Sequence, residues 1–237
     1  MATTISTSPP SFASDDVARR LAAVRLRIEQ AGRDPSSVRV VGVTKGFGSD
    51  AVRAAVEVGL VDIGENYAAE LESKAATAAG LPQQVVWHFL GAVQRNKVAR
   101  LAPIVGLWQS VARPEEGARI ARFAPGAKVL VEIDTTGLAG RNGCPPSGAP
   151  ALVGDLRSDG LDVRGLMTVA APGEAAARAA FETVTQLADE LGVEERSMGM
   201  SDDLEVAVAA GTTMVRIGRA LFGERPPRRP PERLPAP

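Results

Sequence analysis

Apolar residues fall into eight short runs that are separated by amphipathic segments. The runs are rich in Val, Ile and Leu, and they alternate only weakly between apolar and polar positions. This pattern is typical of parallel strands buried on both faces, and the intervening segments carry Ala, Glu, Arg and Leu at helical spacing. The predicted strands cover residues 38–45, 60–66, 85–91, 106–111, 128–134, 163–169, 196–200 and 214–218.

Eight strand–helix units in 237 residues predict an α/β fold of one domain, a (β/α)8 TIM barrel. An extra N-terminal helix is predicted over residues 15–31. The alternative, an open doubly wound sheet, is weakened because no Gly-x-Gly-x-x-Gly follows the first strand. The barrel is expected over 15–224, between a disordered arm, 1–14, and a disordered Pro/Arg-rich tail, 225–237. The Gly- and Pro-rich loop 135–150 is expected to lie over the active face.

Composition restricts the classes of function. Apolar residues make up 45% of the chain and charged residues 23%, which suits a globular core. The net charge of −1 favours neither nucleic acid nor an anionic membrane as a partner, and no apolar run could span a bilayer. Cys144 is the only cysteine, which favours a reducing, cytoplasmic location. The single histidine, His88, excludes a multi-histidine metal site.

Two features at strand ends suggest a ligand that carries an aldehyde and a phosphate. Lys45 ends the first strand, where an amine with lowered pKa could form an imine; an ordinary surface lysine is the alternative. Ser201 is expected to cap the helix after the seventh strand, and Gly218 ends the eighth strand. The turns after the last two barrel strands are a common phosphate site. Pyridoxal 5'-phosphate (PLP) fits both features, and a sugar-phosphate enzyme with an aldolase-type lysine is another possibility.

Arg216 lies within the eighth strand, where an arginine needs a partner. It could form a salt bridge across the barrel with Glu65 or Glu132. Alternatively, its guanidinium could face the pyridine nitrogen of PLP. A guanidinium keeps its proton, so the ring would be a weaker electron sink than one paired with a carboxylate.

Three further residues are candidates for contact with the cofactor. Asn66 could bind a ring substituent or cap the helix that follows. His88 lies in an apolar strand, and a packed core residue is the alternative to a functional one. Met167 could press on the flat ring or simply fill the core.

Six motifs together resemble the pyridoxal phosphate homeostasis protein family, over nearly the whole chain from the first helix to Gly223. The resemblance implies a barrel like the N-terminal domain of bacterial alanine racemase, with PLP held as a Schiff base. The motifs are Val43-Thr44-Lys45, Gly64-Glu65-Asn66-Tyr67, Trp87-His88-Phe89-Leu90-Gly91 with Gln94-Arg95-Asn96-Lys97, Gly165-Leu166-Met167-Thr168, Gly199-Met200-Ser201-Asp202-Asp203 and Met214-Val215-Arg216-Ile217-Gly218 with Leu221-Phe222-Gly223.

The resemblance also implies roles for individual residues. Lys45 would carry the Schiff base, Arg216 would face the ring nitrogen, and Ser201 and Gly218 would hold the phosphate. Asn66 and Met167 would lie beside the ring. This family is thought to buffer or deliver the cofactor, so PLP-dependent apoenzymes are implied partners.

The chain departs from the family pattern after Gly218, where Arg219 replaces the usual Ser or Thr. Its guanidinium could bind the phosphate, or it could point outward. Because the second base of a racemase comes from another domain, and Tyr67 is the only tyrosine, a non-catalytic PLP carrier is the first hypothesis. A weakly active PLP-dependent amino acid racemase or lyase is the alternative. Without that second domain, a monomer is expected.

Overall fold

A computed structural model describes residues 13–225 of the chain. Eight parallel strands form a closed barrel in which each strand pairs with the next and the last pairs with the first. The strands are β1 (Arg39–Val43), β2 (Asp62–Glu65), β3 (Val86–Phe89), β4 (Val105–Val111), β5 (Lys128–Ile133), β6 (Asp162–Thr168), β7 (Glu195–Ser197) and β8 (Met214–Ile217).

Helices surround the barrel, and the predicted extra helix precedes the first strand. The helices are α1 (Ser14–Gln30), α2 (Ser49–Glu57), α3 (Ala68–Ala78), α4 (Val98–Leu101), α5 (Pro114–Phe123), α6 (Ala149–Ser158), α7 (Glu174–Glu190), α8 (Leu204–Ala209) and α9 (Arg219–Phe222). The predicted (β/α)8 barrel is therefore confirmed. All but a few residues of the predicted arm 1–14 and tail 225–237 lie outside the described residues, so their disorder stays a prediction.

Two hydrophobic cores follow from the two faces of the strands. The larger core lies between the outer barrel face and the helices and includes Ile63, Trp108 and Phe181. The smaller core fills the inside of the barrel, and its members come from five different strands. Because side chains alternate along a strand, residues two positions from these inner ones also face the barrel axis. The inner residues are Val41, Leu107, Leu130, Met167 and Met214.

The loop after β5 folds back across the carboxyl ends of its neighbouring strands, as expected for the segment 135–150. Asn142 donates a hydrogen bond to the carbonyl of Ser110 at 3.2 Å, and Arg141 donates to the carbonyl of Val169 at 2.6 Å. The backbone of Cys144 forms an isolated β-bridge with Ile133 at the end of β5. The loop therefore spans β4, β5 and β6 at the end of the barrel where ligands bind in this fold.

Helix α1 attaches to the last two strand–helix connections. Arg27 donates to the carbonyl of Ser201 at 3.0 Å and forms paired hydrogen bonds of 2.6 and 2.8 Å with the Glu205 carboxylate. Arg20 donates to the carbonyl of Leu221 at 3.2 Å. The extra helix thus supports the turn that follows β7 and the helix α9 that follows β8.

Candidate functional site

Lys45 lies at the carboxyl end of β1, half-buried at the barrel mouth. It lies two residues after the end of β1, a strand whose Val41 belongs to the inner core, and its charge interacts with that of Arg216 in the barrel interior. Burial lowers the pKa of its ammonium group, and the positive charges of Arg225 and Arg216 lower it further. Within the described part of the chain its Nζ makes no hydrogen bond. The amine is therefore available for chemistry at the mouth.

A buried ion pair lies directly behind the end of β1. Lys74 Nζ in α3 donates to Glu65 Oε1 at 2.5 Å and to the carbonyl of Thr44 at 2.7 Å. The Thr44 hydroxyl donates to the same carboxylate oxygen at 2.6 Å. Burial raises the pKa of Glu65, while Lys74 and Thr44 oppose the shift. These contacts fix the backbone immediately before Lys45.

Asn66 follows β2 at the same end of the barrel. Its Oδ1 is buried and has no hydrogen-bond partner among residues 13–225. Helix α3 begins at Ala68 with Tyr67 as its N-cap, and no side chain caps it. The helix-cap alternative for Asn66 is therefore not observed, and its contact with a cofactor stays a prediction.

Ser201 and Gly218 follow β7 and β8, and the two turns touch. The N–H of Ala220 donates to Ser201 Oγ at 3.3 Å. The prediction that Ser201 caps the next helix is wrong, because α8 begins only at Leu204 with Asp203 as its N-cap. The delay comes from a tight turn: Asp203 Oδ1 accepts the N–H of Met200 at 2.5 Å. The hydroxyl of Ser201 thus faces the β8 turn rather than its own helix.

Gly199 makes this turn possible. Its φ of 95° lies in the left-handed region, and an added Cβ would come within 2.5 Å of the Ala207 side chain. Any other residue would be strained and would push α8 away from the barrel.

Arg219 lies at the start of α9, and its guanidinium pairs with the Asp202 carboxylate. Both side chains are more than half exposed. The outward orientation is the one observed, with the guanidinium at the rim of the two turns. Whether a phosphate group draws Arg219 away from Asp202 stays a prediction.

Arg216 is fully buried inside the barrel and bonds to neither predicted carboxylate. Its Nη1 donates to the carbonyl and the hydroxyl of Ser197 at 2.7 and 2.8 Å, and its Nη2 donates to the carbonyl of Thr168 at 2.8 Å. Burial lowers its pKa to about 10, opposed by the charges of Glu132 and Asp203. The group therefore stays protonated at neutral pH, and two of its five N–H donors remain for other partners.

His88 and Met167 both lie inside the barrel. His88 is fully buried, and both of its ring nitrogens are engaged, Nε2 with Asp62 Oδ1 at 2.9 Å and Nδ1 with Gln109 Nε2 at 2.6 Å. Met167 belongs to the inner apolar core and is 2% exposed. Both positions match the core alternatives raised from the sequence, and contact with a cofactor stays a prediction for each.

Glu132 is a titratable group of the barrel interior that the sequence suggested only as a possible salt-bridge partner of Arg216. It lies two residues after Leu130 of the inner core and accepts a hydrogen bond from Asn142. Burial raises the pKa of its carboxyl, while Asn142 and Arg216 oppose the shift. The signal that could have found it is a charged residue in an otherwise apolar strand.

Residues 13–225 offer neither a cluster of metal ligands nor a membrane-spanning helix. They contain no cluster of three or more His, Cys, Asp or Glu side chains that could hold a metal ion. None of their helices has the length and apolar character needed to cross a membrane.

Comparison with known proteins identifies the family to which this barrel belongs. The family model described as "Alanine racemase, N-terminal domain" matches residues 19–226. A pyridoxal phosphate homeostasis protein of Pseudomonas aeruginosa is 38% identical over 224 residues, which cover 91% of this chain and 96% of that protein. One of Deinococcus radiodurans is 41% identical over 209 residues, covering 85% of this chain and 97% of that protein.

A solved structure agrees with the sequence relatives. PipY of Synechococcus elongatus, in a structure described as having PLP bound, is 31% identical with a TM-score of 0.77. The match covers 87% of this chain and 100% of that chain. The chain belongs to the alanine racemase N-terminal domain family and, within it, to the pyridoxal phosphate homeostasis proteins.

Proposed function

We propose that this chain holds PLP at the barrel mouth and serves as a reservoir that buffers the cofactor or delivers it to PLP-dependent apoenzymes. The observation that carries the proposal is Lys45, a half-buried amine with lowered pKa at the same barrel end as the Ser201 and Gly218 turns. Relatives that bear the homeostasis name, and PipY with PLP bound, support the same ligand. The single cysteine suits a reducing cytoplasm.

The residues at the mouth fit the chemical groups of PLP one by one. Lys45 offers an amine for the aldehyde, and Arg216 offers two remaining N–H donors on the inner wall. Ser201 offers a hydroxyl beside the glycine turn for the phosphate. The unpartnered Oδ1 of Asn66 offers an acceptor for a donor group on the ligand.

The lowered pKa of Lys45 has a direct chemical consequence. The neutral amine is the nucleophile, and a lower pKa increases its fraction at pH 7. PLP supplies an aldehyde that condenses with this amine, releasing one water molecule and leaving a reversible imine link. Lys74 bonds both to Glu65 and to the Thr44 carbonyl, which fixes the backbone immediately before this amine.

The charge state of Arg216 supports storage rather than catalysis. With a pKa of about 10, the guanidinium keeps its proton at neutral pH. It therefore cannot give a proton to a ring nitrogen, and it stabilises negative charge on the ring less than a protonated pyridinium would. A racemase also needs two acid–base groups on opposite faces of its substrate, and Lys45 supplies one.

The test uses the small number of lysines in the chain. The sequence contains four lysines, Lys45, Lys74, Lys97 and Lys128. Reduction with borohydride after PLP addition, followed by peptide mass mapping, therefore shows which lysine carries the cofactor. We expect the visible imine band and the cofactor mass on Lys45, and Lys45→Ala should lose both while it keeps its circular dichroism spectrum and melting temperature. The exposed-lysine control, Lys128→Ala, should keep the band. A cofactor mass on another lysine, or none, would overturn the proposal.

A weak racemase or lyase is the second candidate, and Glu132 is the observation that favours it. Its buried carboxyl has a raised pKa and interacts with the charge of Arg216, as a group that exchanges protons near the ligand would. Protein loaded with PLP, incubated with alanine in deuterated water, distinguishes the two. Deuterium at the alpha carbon with sustained turnover, lost in Glu132→Gln, would establish the enzyme, whereas no incorporation supports the reservoir.

A further inference from the structure

A chain of buried polar side chains runs across the inside of the barrel beneath the mouth. Arg216 Nη1 donates to Ser197 Oγ at 2.8 Å, and Ser197 Oγ donates to Gln109 Oε1 at 2.6 Å. Gln109 Nε2 lies 2.6 Å from His88 Nδ1, and His88 Nε2 lies 2.9 Å from Asp62 Oδ1. The chain links four strands, β8, β7, β4 and β3, and ends at the start of β2.

The chemistry of its two ends, Arg216 and Asp62, determines which group donates each hydrogen bond along this network. Arginine only donates hydrogen bonds, so Ser197 Oγ accepts from it and uses its own proton toward Gln109. The carboxylate of Asp62 only accepts, so His88 presents Nε2–H to it. The amide nitrogen of Gln109, Nε2, then donates to the unprotonated Nδ1 of His88. Met214 Sδ lies 3.0 Å from the same Gln109 nitrogen and is a further acceptor.

The opposite orientation of the amide requires a different charge on His88. If Gln109 turned its oxygen toward the ring, Nδ1 would have to carry a proton while Nε2–H still faced Asp62. His88 would be a cation, and the hydroxyl proton of Ser197 would lose its acceptor. Neutral His88 is therefore compatible with a single arrangement, with every group paired.

We propose that Ser197, Gln109 and His88 are positioning residues for Arg216. They fix its guanidinium so that the two remaining N–H donors point toward the ligand, and they transmit the state of Arg216 to the opposite side of the barrel interior. The inference rests on the proposed function, because the ligand met by Arg216 is PLP. A buried network in which each linking side chain is hydrogen-bonded on both sides can hold such a group more tightly than apolar packing, since it specifies orientation.

The sequence supplies a built-in reporter for this network. His88 is the only histidine, so its two ring nitrogens give the only imidazole signals in a 15N-labelled protein from which any purification tag has been removed. A long-range 1H–15N correlation spectrum at pH 7 distinguishes a protonated nitrogen from an unprotonated one. In ligand-free protein we expect Nε2 protonated and Nδ1 unprotonated. Addition of PLP is expected to shift the Nδ1 signal.

Variants of Ser197 separate a positioning role from a structural one. Ser197→Ala removes the link to Arg216; it should abolish the PLP-induced shift at His88 and weaken PLP affinity about tenfold. Ser197→Thr keeps a hydroxyl and should restore both. Ser110→Ala is the matched control, because Ser110 is also buried and donates to the carbonyl of Gly91 without joining the chain. It should leave both readouts unchanged.

Each outcome decides the inference. A proton on Nδ1 of ligand-free protein at pH 7 would overturn it, as would a PLP-induced shift of the same size in Ser197→Ala and the original chain. Equal losses of affinity in Ser197→Ala and Ser110→Ala would reduce the serine to a stability effect and also overturn it. If the original chain bound no PLP, the proposed function would fail and the coupling with it. PLP binding without any response at His88 would overturn the inference alone.

Discussion

The buried ion pair behind the strand end predicts a large and pH-dependent loss of stability in Lys74→Met. The methionine keeps most of the apolar stem but removes an ammonium that bonds to Glu65 at 2.5 Å, to the Thr44 carbonyl at 2.7 Å and to Glu70 at 3.2 Å. Glu65 is fully buried, and its Oε2 has no partner within the described residues. The substitution therefore leaves an uncompensated charge in the protein interior.

The size of the effect follows from the cost of an unpaired buried charge. Removing one partner of a buried pair costs about 3–5 kcal/mol, out of about 5–15 kcal/mol for the folding of a whole domain. For a domain of this size, each kcal/mol lowers the melting temperature by about 2–4 °C, so a drop of about 10 °C is expected.

The effect should shrink in acid. Burial already raises the pKa of Glu65 in the folded protein, and loss of Lys74 removes the largest effect that lowers it. A carboxyl whose pKa is raised by folding stabilises the fold below its unfolded pKa and loses that contribution as pH rises through the folded value. Lys74→Met should therefore be most deficient near pH 8 and closer to the original chain near pH 5.

Urea unfolding at both pH values, followed by circular dichroism, measures this difference. Lys128→Met is the matched control, because Lys128 is exposed at the start of β5. The double variant Glu65→Gln, Lys74→Met should recover most of the lost free energy, since it leaves no charge buried. A deficit below about 1 kcal/mol, or one that is equal at both pH values, would refute the reasoning.

Two further predictions concern the turns after β7 and β8. Arg219 is exposed and paired with Asp202, so Asp202→Asn should free its guanidinium and strengthen PLP binding a few-fold. Arg219→Thr should weaken PLP binding. Equilibrium titration of absorbance measures both affinities, and no change in either variant would place Arg219 outside the site. Arg27→Ala should weaken PLP binding about tenfold, because the Ser201 carbonyl loses its donor from α1. Arg19→Ala breaks an exposed ion pair on the same helix and should leave PLP affinity unchanged. Equal affinities for the two helix variants in the same titration would contradict this role.

The sequence located the eight strands because apolar runs and their spacing directly reflect burial on both faces. Apolar runs do not define the end of a strand where a turn residue decides it. The seventh strand was predicted to reach residue 200 but ends at Ser197, because Gly199 already adopts a left-handed turn. The same turn delayed α8, so Ser201 could not act as the predicted cap.

The side-chain contacts inside the barrel could not be predicted from the sequence. Gln109 and Ser197 are polar residues in apolar strands, which signals a buried role, but their pairing depends on which strands face each other across the barrel. Nothing in the sequence around Lys74 distinguishes it from a solvated lysine of a helix. Its burial follows only from Glu65 facing outward from β2 toward α3.

The closure of β8 on β1 has a consequence for biosynthesis. Translation produces Lys45 early, whereas Ser201 and Gly218 leave the ribosome near the end of synthesis. On the proposed function, a nascent polypeptide would therefore carry the amine before the barrel has closed and before the turns proposed to hold the phosphate exist. Tight binding of the cofactor would then require the complete barrel.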